Sequence, residues 1–400
     1  MPDVLRSVAE WSLLGALLCL SLPLPIHIHL AALGLGCGLL LLLAPRPADR
    51  VWPVPVLLST LAFGGLTLLS VAFASDPERA LLSSLGMLPA VLLCHTIAIG
   101  LDQRGLRRLA LTLTAMAIVA AGRFLWVAVT HPGEHPTVWM DQAGYVQFSI
   151  PNDLLFLCLL SPFCLHWLCS ECRFRIKLIG MMAFLTVIAC IVVYQSRGGL
   201  LLVLGAFFFL MLQNRPKRML PGLVLLVLAA VAADVAAGFP LSAKFFDPVS
   251  WSTRLPPWLV AWRMFLDAPW LGQGPGGFSL GYEHYLAALE LPAWVILDSR
   301  HIPWAHNLYL ELLSERGLLG FIAFGAFALS TLKSLRRVTE RTANSVRPPL
   351  LGAVFGSLGL ALAGGLFELS LLRYWFLILL SIPIGIQMAY SRQDEESTHA

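Results

Sequence analysis

FLTVIACIVVYQSRGGLLLVLGAFFF, residues 184–209, joins two charge-free apolar runs through the five residues 195–199. Such runs are suited to lipid rather than to water. The whole chain of 400 residues has the same character, with 58% hydrophobic and only 12% charged residues. Soluble domains carry about 25% charged residues, so the composition excludes a soluble fold.

A membrane-spanning helix needs about 20 apolar residues. We therefore predict an all-α, polytopic integral membrane protein with about twelve transmembrane helices, forming a single membrane domain over residues 1–400. Asp3, Arg6 and Glu10 precede the first span, and this pattern is unlike a removable signal. The predicted spans are 8–25, 28–44, 52–72, 81–100, 106–129, 151–169, 177–195, 199–213, 219–237, 306–331, 350–371 and 373–391.

Basic residues indicate the orientation of the chain, because Lys and Arg concentrate in cytoplasmic loops. With both termini inside, every inner loop is basic. A smaller set of basic residues lies in outer loops or near the outer ends of spans, where charge often marks function or an internal ion pair. These residues are Arg79, Arg123, Arg197, Lys244, Arg254, Arg263, Arg300, Arg316 and Arg373.

The outer side has one long segment, 238–305, that is rich in tryptophan. Tryptophan favours the lipid–water boundary. Within this segment, the proline pair at 256–257 predicts the start of a helix that runs to about Asp267. We expect short helices lying on the outer leaflet, and the alternative is a helix buried in the outer part of the protein. The apolar stripe of this helix would comprise Trp258, Trp262 and Phe265.

Other classes of binding site find little support. The net charge of +4 is small and scattered, so no nucleic-acid partner is expected. Cys169 and Cys172 form one C-x-x-C without the second pair that a zinc site needs. Asp76 and Glu78 have the chemistry of cation ligands, but Asp76 equally suits a turn with Pro77. We expect no metal and no cofactor.

Three short stretches have the residue types of a reactive site. In the first, Q-S-R-G-G at 195–199, a tight outer turn keeps Arg197 at the membrane surface. Arginine suits bidentate binding of phosphate. The alternative is an ion pair with a lipid phosphate, with Asp234 or with Glu368.

The second stretch is S-T-R at 252–254, directly before the proline pair. It puts Arg254 at the predicted start of a helix, where free N–H groups and the positive dipole end favour an anion. The alternative is an ordinary arginine on a surface loop.

The third stretch is H-I-P-W-A-H-N at 301–307, where the chain re-enters the membrane. An imidazole at His306 suits general-base chemistry at neutral pH, although a capping or interfacial role is the alternative. His301 is a second candidate, and its spacing from His306 is poor for a metal. Glu311 and Glu315 share one face of the helix that follows. His306 and Glu311 lie about 140° apart around that helix, so no simple His–Glu pair is expected.

Together these stretches resemble the O-antigen ligase and polymerase superfamily of bacterial envelopes. Q-S-R-G-G resembles its first arginine motif. S-T-R-L-P-P-W at 252–258, followed by A-P-W-L-G-Q-G-P-G-G-F at 268–278, resembles its second. A-H-N-L-Y-L-E-L-L-S-E-R-G-L-L-G at 305–320 resembles its histidine motif. The resemblance covers roughly residues 190–330, and the first half of the chain is similar only in hydropathy.

The resemblance implies a helical membrane fold of the lipid-dependent GT-C glycosyltransferase class. It implies metal-independent, inverting transfer of O-antigen from undecaprenyl pyrophosphate to a sugar of lipid A–core, with membrane lipid around the site. Arg197 and Arg254 would hold the pyrophosphate, and His306 would deprotonate the acceptor hydroxyl. The protein would cross the inner membrane of a Gram-negative bacterium, with cytoplasmic termini and a periplasmic active site. Further substrate-binding candidates are Arg263, Arg300, Arg316 and His301.

Several alternatives stay open at this point. An O-antigen polymerase would use the same donor and differ only in its acceptor, and compact size and the A-H-N motif favour the ligase. A ligase that glycosylates protein is expected to have more sequence after its last span. A transporter of an anionic substrate would use the same arginines but should show inverted repeats and midplane binding groups. A purely structural envelope protein leaves the outer arginines unexplained.

Overall fold

A computed structural model of the protein describes residues 2–43, 52–131, 154–170, 172–194, 196–214, 224, 228, 231–232, 235, 252–297, 302, 304–341, 349–367 and 369–399. The described residues form helices and no strand, which confirms the all-α prediction. The helices are α1 (Pro2–Cys19), α2 (Ile26–Leu43), α3 (Val54–Val71), α4 (Pro77–Leu85), α5 (Leu88–Gly100), α6 (Gln103–Thr130), α7 (Leu154–Cys169), α8 (Phe174–Val193), α9 (Arg197–Asn214), α10 (Leu255–Asp267), α11 (Gly277–Ala287), α12 (Leu308–Arg341), α13 (Pro349–Gly364) and α14 (Tyr374–His399).

Seven helical segments of the described chain are long and apolar enough to cross a membrane. Shorter apolar helices lie at Leu154–Cys169, Arg197–Phe207 and Leu350–Gly364. The predicted span 219–237 lies largely outside the described residues, so the count of twelve spans stays a prediction, as does the GT-C class. The seven segments are Ile26–Leu43, Val54–Val71, Pro77–Gly100, Gln103–Thr130, Phe174–Val193, Leu308–Arg341 and Tyr374–Gln393.

Polar contacts bring the two ends of the chain to one end of the helix bundle. Arg108 in α6 pairs with the buried Glu10 of α1 at 2.7 Å. Arg392 in α14 donates to the carbonyl of Ala98 at 3.1 Å, and Arg6 donates to that of Gly100 at 3.2 Å. Both arginines therefore bind carbonyls at the C-terminal end of α5, where a helix presents orphan acceptors. The starts of α9 and α14 lie at the opposite end of the bundle. Arg197 and Arg373 are therefore far from this cluster of contacts around the two chain ends.

The helix predicted from the proline pair is confirmed as α10, Leu255–Asp267. Its buried face is formed by small and medium apolar residues, including Val260, Ala261 and Met264. Trp262 instead faces outward with Leu266, and both side chains are about half exposed. The predicted apolar stripe thus does not coincide with the face that packs against the protein.

The predicted span 306–331 is not one continuous helix, because α12 breaks at Gly317 (φ 63°, ψ −169°). At the break, the N–H groups of Leu318 and Leu319 donate to the carbonyls of Pro269 and Trp270. In the glycine-rich loop, the N–H groups of Gln273 and Gly274 donate to the carbonyls of Ser314 and Glu315. The loop at 268–277 therefore satisfies the backbone groups that the break exposes.

Gly317→Ala tests whether the hydrogen-bonded contact between this loop and the break in α12, here called the interlock, stabilises the fold. A Cβ at position 317 would lie 2.3 Å from the carbonyl carbon of Trp270, and its φ of 63° is left-handed. We expect a loss of about 1–3 kcal/mol from strain alone, before the steric clash is counted. The measurement is thermal unfolding of the purified protein in detergent.

Gly325→Ala is the matched control in the same helix, since no atom lies within 4 Å of a Cβ there. Alanine should stabilise that helical position by up to about 1 kcal/mol. Equal unfolding temperatures for both variants would contradict the proposed interlock.

Candidate functional site

Arg197 is the first residue of α9, at the end of a tight turn. The N–H of Ser196 donates to the carbonyl of Ile191 at 3.0 Å, which closes the turn. The Ser196 hydroxyl accepts the N–H of Gly199 at 3.2 Å and so caps the helix. The partly buried Arg197 therefore stands at a helix start, where the helix dipole is positive.

Arg254 stands at the start of α10, as its N-cap residue. Its guanidinium donates to the backbone carbonyl of Phe367. Burial, and after it the positive charge of Arg197, lower the pKa of the Arg254 guanidinium to about 10. The two arginines are therefore electrostatic neighbours although 57 positions separate them in the sequence. Arginines at helix starts are suited to binding an anion.

His306 directly precedes the capped start of α12. The side-chain oxygen of Asn307 accepts the N–H groups of Tyr309 and Leu310 at 3.0 and 3.1 Å. His306 has a left-handed φ of 52°, a backbone conformation that non-glycine residues rarely adopt. The surrounding contacts must hold this conformation, so they also fix where the imidazole lies.

One connecting segment between α13 and α14, described over residues 365–367 and 369–373, joins the second and third motifs. Its carbonyls at Gly365, Leu366 and Phe367 are three consecutive acceptors. They accept, in that order, the N–H of Leu308 at 2.7 Å, the Asn307 amide at 3.2 Å and the Arg254 guanidinium. This segment thereby brings Arg254 to the helix start that carries His306.

Arg373 ends the connecting segment and is a residue whose position sequence reasoning did not foresee. Its carbonyl accepts the N–H groups of Phe376 and Leu377, so it stands at the start of α14. Its guanidinium carbon lies 4.2 Å from the centre of the Trp304 ring, a cation–π contact. The ring centres of Trp304 and His306 are in turn 6.1 Å apart. The only sequence signal was a basic residue near the outer end of a span.

Arg316 lies in a buried ion pair. It is 1% exposed, and its guanidinium contacts the carboxylate of Glu315, itself 0% exposed, at 3.1 Å. The other oxygen of Glu315 faces the N–H of Phe278 at 3.4 Å, at the start of α11. This placement favours a structural role for Arg316 over the predicted contact with substrate.

The other predicted residues are placed as follows. Arg263 is exposed and pairs with Asp267 at 3.6 Å on the same helix. Asp76 accepts the N–H of Arg79 at 3.0 Å and caps α4, in agreement with the turn interpretation. Within the described ranges, no group of three or more His, Cys, Asp or Glu residues could hold a metal ion. Of the residues named from the sequence, those outside the described ranges are Asp234, Lys244, Arg300, His301 and Glu368.

Arg316→Met separates the structural from the binding role. Removing the arginine leaves the Glu315 carboxylate buried without its ion-pair partner, which should cost about 3–5 kcal/mol. The double variant Glu315→Gln/Arg316→Met removes both charges and should recover much of that loss. Thermal unfolding in detergent measures both effects. Unchanged stability in Arg316→Met would contradict the structural role.

Comparison with known families finds that residues 182–325 match the family model described as O-antigen ligase. The matched range contains Arg197, Arg254 and His306. A comparison with curated proteins finds no match.

Proposed function

Because the chain belongs to the O-antigen ligase family, whose members are glycosyltransferase-like enzymes of O-antigen pathways, we propose that it is a lipopolysaccharide O-antigen ligase. The donor is O-antigen on undecaprenyl pyrophosphate, and the acceptor is a sugar hydroxyl of lipid A–core. The reaction is metal-independent and inverts the anomeric centre. Its apolar helices and its family support a multi-pass protein of the inner membrane. In the proposed orientation both termini lie in the cytoplasm and the site lies on the periplasmic face, because every inner loop is then basic.

One observation carries the proposal: Arg197 and Arg254 are electrostatic neighbours, each at the start of a helix. A pyrophosphate is a compact group with several negative oxygens. Two guanidinium groups and two positive helix ends match it in charge and in hydrogen-bond donors. The same cations would stabilise the charge that grows on the leaving pyrophosphate.

His306 acts as the general base in this mechanism. The acceptor hydroxyl oxygen forms a bond to the anomeric carbon while the bond from that carbon to the pyrophosphate oxygen breaks. The electron pair leaves with undecaprenyl pyrophosphate, and the hydroxyl proton passes to the imidazole. Attack on the face opposite the leaving group inverts the centre.

Both substrates are amphiphiles with polar heads and lipid tails, so their reacting groups meet at the membrane surface. Trp262 in α10 and Trp270 in the loop that follows it have exposed side chains, and tryptophan is enriched at lipid–water boundaries. The carbonyl of Trp270 accepts the N–H of Leu319, at the start of the long apolar part of α12. This contact supports a site at the outer end of the membrane spans, opposite the cluster that joins the termini.

The test is transfer by purified protein, with synthetic undecaprenyl-pyrophosphate glycan, lipid A–core and EDTA. We expect glycan on lipid A–core with the wild type, and a loss of about 10²–10³-fold in rate with Arg197→Ala, Arg254→Ala or His306→Ala. Arg336→Ala is the control, because that arginine is exposed and pairs with Glu340 one turn away. It should retain the wild-type rate.

Other products would favour the alternatives. Longer glycans on undecaprenyl pyrophosphate, without product on lipid A–core, would identify an O-antigen polymerase. Neither product would contradict both enzymatic proposals, and a flux assay in vesicles would then test transport of the anionic substrate.

Donor affinity should also depend on pH. The lowered pKa of Arg254, about 10, leaves its guanidinium charged at neutral pH. Affinity for undecaprenyl pyrophosphate should be constant near pH 8 and fall as the pH rises through 10, where Arg254 loses its proton. Binding titrations of wild type and Arg254→Ala check this. A fall of the same size in both would exclude Arg254 as its cause.

A further inference from the structure

Glu311 is a fully buried carboxylate next to the candidate site that the proposed reaction does not use. It lies in the first turn of α12, where its own N–H donates to the carbonyl of Asn307 at 2.9 Å. Its side chain crosses to the connecting segment. One carboxylate oxygen accepts the Ser370 hydroxyl at 2.8 Å and the N–H of Leu371 at 3.1 Å.

Hydrogen bonds join the connecting segment to the start of α12 at two places. At its first residues, the carbonyls of 365–367 accept hydrogen bonds from Leu308, Asn307 and Arg254. Further along, Ser370 and Leu371 donate to Glu311. The Ser370 hydroxyl also accepts the N–H of Leu372 at 3.0 Å, directly before Arg373. The segment is thus held at both of its ends by the first turn of one helix.

Stability alone is a weak reason for a buried carboxyl group at this place. Burying a carboxylate is costly, and its hydrogen bonds offset that cost only in part. The second oxygen of Glu311 has no hydrogen-bond partner among the described residues. An apolar side chain would avoid the cost, but it would not accept the Ser370 and Leu371 donors.

We propose that Glu311 is a positioning residue that fixes the connecting segment and thereby sets Arg254 and Arg373 relative to His306. The inference rests on the proposed function, in which Arg254 binds the leaving group and His306 takes the acceptor proton. Catalysis of this kind depends on geometry, and a misplacement of about 1 Å costs about 10²-fold in rate. Glu311 itself contacts neither substrate nor the reacting atoms.

The conservative variant Glu311→Gln distinguishes positioning from chemistry. Its amide oxygen accepts the same two donors, so we expect a rate within a few-fold of the wild type. Glu311→Ala removes the acceptor and should lower kcat/KM about 10²-fold. If Glu311→Gln is as inactive as Glu311→Ala, the carboxylate acts through its charge or proton and the proposal is wrong. Full activity of Glu311→Ala would contradict it equally.

Ser370→Ala is a second, smaller change that removes one hydroxyl, so we expect the variant to fold. We expect an intermediate loss of rate and no additional loss when it is combined with Glu311→Ala, because both changes break the same contact. Additive losses would contradict a shared role. Ser381→Ala is the control, since that buried hydroxyl donates to the Ile378 carbonyl in its own helix.

Hydrogen–deuterium exchange tests the same inference without any substrate. The amide of Leu371 should exchange faster in Glu311→Ala and at the wild-type rate in Glu311→Gln and Ser381→Ala. Unchanged exchange in Glu311→Ala would show that Glu311 does not hold the segment. Inactive wild-type protein with the expected exchange pattern would instead contradict the proposed function and leave the anchoring contact supported.

Discussion

The hydrogen bonds accepted by three consecutive backbone carbonyls, at residues 365–367, are the contacts on which the candidate site depends. Arg254 begins a surface helix, and His306 precedes a helix that enters the membrane. Their helices pack together, but packing alone does not fix the approach of two long polar side chains. A chain of backbone acceptors does so, because its oxygens are spaced by covalent geometry and cannot change rotamer.

Helix starts supply the second common feature of the site. Arg197, Arg254 and Arg373 each stand at or next to the first residue of a helix, and His306 stands two residues before one. The helix dipole is positive at each of these ends, and this is the end of a helix that favours an anion.

Much of this organisation could be predicted from residue patterns, and the remainder has identifiable physical reasons. Apolar run length predicts the membrane helices, and the proline pair in the first turn of α10 predicts where that helix begins. Arg197 and Arg254 were singled out because arginine suits phosphate binding and each was predicted at a turn or a helix start, and their roles stay predictions. The helix break at Gly317 was not predicted. A glycine within a strongly apolar span does not reveal whether a loop about 40 residues earlier packs against it.

The connecting segment was missed for a different reason. Its contacts to Leu308, Asn307 and Arg254 use backbone oxygens, which every residue type possesses, so no side-chain pattern reports them. Glu311 could be placed on a helix face but not paired with Ser370, 59 positions away. Arg316 was a substrate-binding candidate because of its outer position, and sequence reasoning did not foresee its buried ion pair with the neighbouring Glu315.

The position of the connecting segment late in the chain also has a consequence for biosynthesis. A nascent chain that has reached residue 341 already contains both arginine motifs and the histidine motif, but lacks the acceptors that hold two of them together. Membrane insertion of the earlier helices therefore precedes completion of the anion site. The candidate site would then acquire its final geometry only when α13 and α14 fold against the earlier helices.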